Sequence, residues 1–177
     1  MRKQNNKTLS DLRLQSEPRM LWAPPFEQLS NSQVEALFAD YRSYMYEGKK
    51  VDEQVHLGFD LSKVARAPVV ASNAGKILFA GPLGIYGNCV VVDHGYTLQS
   101  IYAHLSEIAV QPGQMVHKGE QLGKSGATGL AGGDHLHFSM QIDGVQVNPV
   151  EWWDAHWIQD RILSKLPAPA AQAAAAK

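Results

Sequence analysis

The sequence has little net charge, no long apolar run and a single cysteine. Its 177 residues carry 16 basic and 17 acidic side chains, a formal charge of -1, which excludes the broad basic surface that nucleic-acid-binding proteins use. Its apolar runs, such as residues 89–92, are far shorter than the roughly 20 residues that cross a bilayer, so no transmembrane segment is predicted. Cys89 alone can form neither an internal disulfide nor a multi-cysteine zinc site, and its apolar neighbours predict a buried thiol.

The start of the chain also lacks the apolar stretch of a secretory signal, because the basic residues within 1–7 are followed by polar sequence. With 45% hydrophobic and 19% charged residues, the composition predicts one compact domain with a terminal appendage. We divide the chain into a polar lead-in (1–28) with a short helix near residues 9–14, a main domain (29–150), a C-terminal helix (151–166) and a low-complexity tail (167–177).

Short β-branched runs separated by glycine turns occupy residues 67–148. Regular short strands with such turns predict a compact, mainly β, antiparallel domain. Residues 30–45 differ, because Val34, Leu37, Phe38 and Tyr41 recur at helical spacing, which alone favours an amphipathic helix.

Histidine is the unusual part of the composition, with seven copies. His135 and His137 open a strand-like run, and side chains two apart on a strand share a face. In a second stretch, His56 and Asp60 lie on either side of a glycine. Catalytic zinc uses three protein ligands plus water, so His56, Asp60 and one histidine of the pair would complete a site. Taken singly, each stretch is explained as well by satisfied histidines on a strand or by a turn with a solvated aspartate.

Another histidine ends an alternating strand, where Tyr102 and His104 are predicted to share a face. A neutral imidazole at His104 could hold or deprotonate a water, or donate to a developing oxyanion. The remaining histidines, His94, His117 and His156, are predicted to be structural or solvated.

Taken in order, these stretches resemble the lysostaphin-type, or LytM-like, zinc metallopeptidases that cut peptide cross-links in bacterial cell walls. The resemblance covers about residues 26–149. Its elements are HLGFD at 56–60, APV at 67–69, GKI at 75–77, YGN at 86–88, VVDHG at 91–95, YAHL at 102–105, VQPGQMV at 110–116, GEQLG at 119–123, GATG at 126–129, HLHF at 135–138 and VNP at 147–149. Each piece is a loose pattern, but the ordered set is specific.

The resemblance implies one catalytic Zn²⁺ held by His56, Asp60 and His137. His104 and His135 would be the catalytic histidines, which activate or orient water and stabilise the tetrahedral intermediate. Zinc lowers the pKa of a bound water and polarises a carbonyl, so no protein nucleophile would be needed.

The family's fold is a small antiparallel β-sheet domain, of duplicated-hybrid-motif or barrel-sandwich type, with a groove over the sheet. The resemblance also reverses the helical interpretation of residues 34–42, because family members are extended there; Ala39 stands where they usually have glycine. Relatives often carry an inhibitory segment over the zinc. Residues 1–28 would either do the same or pack on the β domain, as the apolar pair Leu21 and Trp22 favours.

The implied partners are peptidoglycan peptide stems, and a monomer is expected. We favour the D-alanine to diaminopimelate cross-link, the target of Gram-negative relatives, over the glycine bridges that lysostaphin cuts. This places the protein in the cell envelope or periplasm. Because the chain as written shows no export signal, we favour a fragment of a longer exported protein over another export route.

Three rival functions stay open. A non-hydrolytic relative that binds the wall or activates an amidase would typically lack zinc ligands, whereas all five expected positions are filled here. Residues 110–122 resemble half of a biotinyl or lipoyl carrier motif, but no lysine stands at a suitable exposed turn. A structural zinc site would use four protein ligands, often cysteines, which this chain does not offer.

Overall fold

A computed structural model describes residues 1–166 and shows a mainly β fold, as predicted. The predicted tail at 167–177 lies outside the described residues. The strands are β1 (Gln33–Ala36), β2 (Tyr41–Tyr46), β3 (Lys49–Val55), β4 (Phe59–Ser62), β5 (Pro68–Val70), β6 (Gly75–Pro82), β7 (Asn88–Asp93), β8 (Leu98–Leu105), β9 (Glu107–Ile108), β10 (Met115–Val116), β11 (Gln121–Lys124), β12 (Leu136–Ile142) and β13 (Val145–Val147). The helices are α1 (Arg2–Asp11), α2 (Val150–Trp153) and α3 (Ala155–Arg161), with 3-10 turns at Leu12–Gln15, Gly84–Tyr86 and Leu163–Lys165.

One eight-stranded antiparallel sheet organises the molecule. Its strand order is β1-β4-β12-β8-β7-β6-β10, and β13 pairs with the end of β12. A three-stranded sheet of β5, β11 and β9 packs beside it, and β2 and β3 form a separate hairpin. The central position of β12, between β4 and β8, brings His137 opposite Asp60 in the register.

The two faces of the main sheet are covered differently, because strand side chains alternate. Even-numbered residues of β7, β8 and β12 face the larger core, which includes Val90, Tyr102 and Phe138. Odd-numbered residues, such as Val91 and Ile101, face a smaller core closed by Leu9 and Leu12 of the lead-in. Cys89 is buried in this smaller core, which confirms the predicted burial of its thiol.

The lead-in of residues 1–28 packs on both faces of the sheet. Its first part is helical, beginning earlier than predicted, at Arg2. Its second part buries Trp22 and Phe26 against Trp152, with ring centroids 5.8 and 5.6 Å from that indole. The lead-in is therefore part of the folded domain. No helix among residues 1–166 has the length and apolar character needed to span a membrane.

Residues 34–42 form no helix: they lie in β1 and β2, which are extended as the family resemblance implies, with a turn at residues 38–39 between them. Ala39 takes the altered turn between β1 and β2 with a φ of 70°, a left-handed conformation that glycine adopts more readily. The helical spacing misled because Tyr41 and Leu37 are exposed and face no common core.

The C-terminal helix predicted over 151–166 is divided into three short helical segments. Asp154 breaks it with an extended backbone, and its carboxylate accepts hydrogen bonds from the His156 and Trp157 amides at the start of α3. Aspartate is a preferred N-cap residue, so the sequence restarts the helix there. The segments still bury Trp152 and Ile158 in the larger core.

His94 connects the lead-in to the sheet and makes folding sensitive to acid. Its ring is buried 4.8 Å from the Phe26 ring and bonds through its two nitrogens to the Ala74 carbonyl and the Ser100 hydroxyl. Burial lowers the pKa of His94 to about 4 from 6.5. Because the unfolded state takes up the proton first, the stability that a neutral His94 provides is complete above pH 6.5. As the pH falls from 6.5 to about 4, this contribution decreases by about 3 kcal/mol.

We therefore expect the difference in unfolding free energy between the wild type and His94→Gln to shrink by that amount as the pH falls from about 7.5 to about 4. Urea titrations in EDTA would measure it. His156→Gln, which changes an exposed histidine, should keep the wild-type pH dependence. A difference that stays constant with pH would show that His94 does not carry the acid sensitivity.

Candidate metal centre

Three buried donor atoms meet on the face of the main sheet towards which the odd-numbered residues of β12 point. Asp60 comes from β4, His137 from β12, and His56 from the loop that precedes β4. Nε2 of His56 lies 3.0 Å from Oδ1 of Asp60 and 3.0 Å from Nδ1 of His137, and that Nδ1 lies 2.9 Å from Oδ1. Gly58 permits this approach, because a Cβ there would lie 2.5 Å from Oγ of Ser139.

The hydrogen bonds outside this cluster fix which ring nitrogens are free. Nδ1 of His56 donates to the Leu37 carbonyl at 2.8 Å, which leaves its Nε2 unprotonated in the neutral ring. The Ser139 hydroxyl donates to the Leu57 carbonyl at 2.7 Å, so it accepts from Nε2 of His137 at 2.9 Å. Nδ1 of His137 therefore also points a lone pair inward.

Two nitrogen lone pairs and a carboxylate oxygen this close together repel one another unless a cation lies between them. Burial lowers the pKa of His137, which favours the neutral ring that metal binding requires. Burial would raise the pKa of the Asp60 carboxyl, whereas the Arg42 guanidinium, which donates to its Oδ2, lowers it. The donor set of two imidazoles and one carboxylate thus fits Zn²⁺ with one position left for water.

Two further histidines border the centre with their free nitrogens turned towards it. Nδ1 of His104 bonds to the Thr128 carbonyl at 2.8 Å, and Nδ1 of His135 bonds to the Gly133 carbonyl at 2.9 Å. Nε2 of His135 lies 3.6 Å from Oδ1 of Asp60. The centroids of the His104 and His135 rings are 4.9 Å apart. Burial lowers the pKa of His104 to about 4, so this ring is neutral at neutral pH and its Nε2 carries a lone pair.

The predicted shared face of Tyr102 and His104 is wrong. Tyr102 lies in the larger core, and its hydroxyl accepts a hydrogen bond from the Ser72 amide at 2.7 Å. The register between β7 and β8 shifts after this residue, and His104 has a φ of 62°. This β-bulge turns His104 to the opposite face, where the metal centre lies.

The structure brings together all five residues predicted for the site, and adds two whose roles the sequence did not show. Nη2 of Arg42 donates to Oδ2 of Asp60 at 2.6 Å, which orients the carboxylate so that Oδ1 faces the histidines. Ser139 holds the His137 tautomer. Its position two residues after His137, on the same strand face, was the available signal. His117 and His156 are exposed, and His94 is buried away from the centre, as predicted.

Loss of the Ser139 hydroxyl should weaken metal binding without removing a ligand. We expect Ser139→Ala to lower Zn²⁺ affinity by about 10- to 100-fold, because His137 would no longer be held in the tautomer that presents Nδ1. Competition with a chromogenic chelator would measure the affinity. Ser164→Ala, at an exposed serine, is the control. Equal affinities in the two variants would mean that Ser139 does not set the tautomer.

Comparisons with known proteins identify the family of this chain. The family model described as Peptidase family M23 matches residues 54–149, which include all five predicted site residues. The chain is 41% identical over 97 residues to DD-carboxypeptidase/endopeptidase Mpg of Neisseria meningitidis, covering 55% of this chain and 22% of that protein. It is 38% identical over 96 residues to peptidoglycan DD-endopeptidase ShyA of Vibrio cholerae, covering 54% of this chain and 22% of that protein.

A solved structure supports the fold independently. The catalytic domain of the antimicrobial peptidase lysostaphin from Staphylococcus simulans superposes with a TM-score of 0.60 at 27% identity, covering 70% of this chain and 92% of that one. The chain spans only about a fifth of the length of the two curated relatives.

Proposed function

Because this chain belongs to peptidase family M23, we propose that it is a zinc-dependent endopeptidase that hydrolyses peptide cross-links of bacterial peptidoglycan. The observation that carries this proposal is the convergence of unprotonated histidine nitrogens and one carboxylate oxygen on a single sheet face. The resemblance to lysostaphin-type peptidases is confirmed, and this family is zinc-dependent.

The chain's own residues supply the parts that amide hydrolysis needs. His56, Asp60 and His137 would hold one zinc ion, which when bound polarises the scissile carbonyl and lowers the pKa of a water. Nε2 of His104 or His135 would take the proton of the attacking water. After protonation, the same nitrogen would donate to the leaving amine. The backbone bonds at the two Nδ1 atoms keep both rings aimed at the substrate.

The substrate is proposed from the relatives' names. ShyA is named a peptidoglycan DD-endopeptidase, which supports a peptide stem as the substrate and, in our proposal, the D-alanine to diaminopimelate bond. That substrate would place the protein in the cell envelope or periplasm. We also propose that residues 29–150 form the catalytic unit, preceded by the lead-in and followed by the C-terminal segment, and that it acts as a monomer.

Digestion of purified cross-linked peptidoglycan tests the proposal. We expect the protein to convert cross-linked muropeptide dimers to monomers, with the new termini identified by mass spectrometry. EDTA should stop the reaction, and added Zn²⁺ should restore it. If zinc binds stoichiometrically and no bond breaks, the non-hydrolytic alternative, a module that binds the wall or activates an amidase, replaces the enzyme.

A further inference from the structure

A groove runs across the metal centre and has two arms of different charge. The first, here called the Arg2 arm, is lined by Arg2 and Asn6 of α1, Tyr44 of the hairpin, and Tyr86, and it reaches His56 and His137. The second, here called the Glu35 arm, is lined by Glu35 and Asp134 and reaches His135. Arg42 lines both arms. In addition, the Arg2 arm contributes the cation of Arg2, and the Glu35 arm contributes the carboxylates of Glu35 and Asp134.

Helix α1 is a fixed wall of this groove, because buried contacts hold it. Asn5 is 8% exposed, and its Oδ1 accepts a hydrogen bond from the Ile85 amide at 3.1 Å. Gln141 of β12 donates to the Leu9 carbonyl at 2.9 Å, and Leu9 is 1% exposed. Gln141 lies on the same strand face as His137, so one strand positions both the metal centre and the helix.

Arg2 has no ion-pair partner among residues 1–166. The guanidinium of Arg2 lies 5.5 Å from the centroid of the Tyr44 ring, across the groove. Asp52 of the hairpin, an acidic side chain on which the charge of Arg2 acts, accepts its hydrogen bonds from the Gln54 side chain and the Glu53 amide.

We propose that Arg2 binds a free carboxylate of the peptide stem on the amine side of the cleaved bond. This inference rests on the proposed function. A diaminopimelate residue cross-linked through one amine keeps a free carboxylate on the same carbon, whereas a glycine bridge has none beside its internal amides. An arginine fork suits a carboxylate, and Tyr44 holds the fork in place.

The charges of the two arms also set the direction of the substrate. Glu35 and Asp134 would repel the diaminopimelate carboxylate from the Glu35 arm. The D-alanine side would then lie in the Glu35 arm and the amine side in the Arg2 arm. Arg2 is thereby a specificity residue for anionic stems, separate from the groups that carry out hydrolysis.

The test compares two cross-linked muropeptide dimers, one with the free carboxylate of the bridging diaminopimelate and one with that group amidated. For the free dimer, Arg2→Gln should raise KM about tenfold and leave kcat within about twofold. For the amidated dimer it should change neither. Arg2→Lys should lose less than Arg2→Gln, and Lys3→Gln, at an exposed neighbour on the same helix, should match the wild type.

A binding measurement separates this inference from the proposed function. Calorimetry on the zinc-loaded His104→Asn variant, with and without Arg2→Gln, should show the same tenfold loss of affinity for the free dimer only. Equal affinity with and without Arg2 overturns the inference, even if the enzyme cleaves both dimers. An Arg2 effect confined to an uncross-linked pentapeptide overturns it in favour of a terminal D-alanine carboxylate. Failure of the wild type to cleave either dimer would count against the proposed function alone, since binding is judged separately.

Discussion

His137→Ala is expected to lose tightly bound zinc and, with it, peptidoglycan hydrolysis. His137 lies at the centre of the donor cluster, with Nδ1 2.9 Å from Oδ1 of Asp60 and 3.0 Å from Nε2 of His56. Loss of an outer hydrogen bond to a ligand already costs 10- to 100-fold in affinity or activity. Loss of the ligand itself should therefore cost on the order of 10³-fold or more in both. Metal content by mass spectrometry and muropeptide release would measure the two effects.

The matched control is His117→Ala, which removes an exposed histidine outside the centre. It should keep one zinc per chain and full activity. Circular dichroism of both variants would check the fold, because the His137 ring lies 6.0 Å from the Tyr86 ring of the smaller core. Retention of stoichiometric, tightly bound zinc in His137→Ala would mean that another residue completes the site, with His135 the first candidate.

Four of the five site residues could be identified from the sequence because their spacing is local. His135 and His137 are two apart on a strand, and His56 and Asp60 are four apart around a glycine, so each pair points to one place in any extended backbone. Their order along the chain, matched to a family, then predicted the partners that spacing alone left open. The metal ligands thus follow the regular spacing of side chains along an extended chain.

The features that were missed depend on departures from periodicity or on distant contacts. His104 reaches the centre through a left-handed residue at a bulge, which strict alternation places on the wrong face. Arg42 follows a turn at Ala39 that helical spacing conceals. The contact of α1 with the groove depends on Asn5, whose partner Ile85 is 80 residues away in the chain. Such contacts leave no local pattern to read.

His104→Asn is expected to keep zinc and lose catalytic rate, which would distinguish a proton-transferring group from a metal ligand. His104 is outside the three-residue donor cluster, and its Nδ1 bonds to the Thr128 carbonyl. The substitution therefore removes the free Nε2, which is the nitrogen that would transfer the proton. Loss of a positioned general base or acid costs typically 10²- to 10⁴-fold, and we expect kcat to fall within that range with zinc affinity unchanged. Asparagine is chosen over alanine because it tolerates the φ of 62° at this position better than most residues. His156→Asn makes the same chemical change at an exposed site and should match the wild type. Loss of zinc from His104→Asn would show that His104 is a ligand, and His135 would then be the remaining candidate for proton transfer.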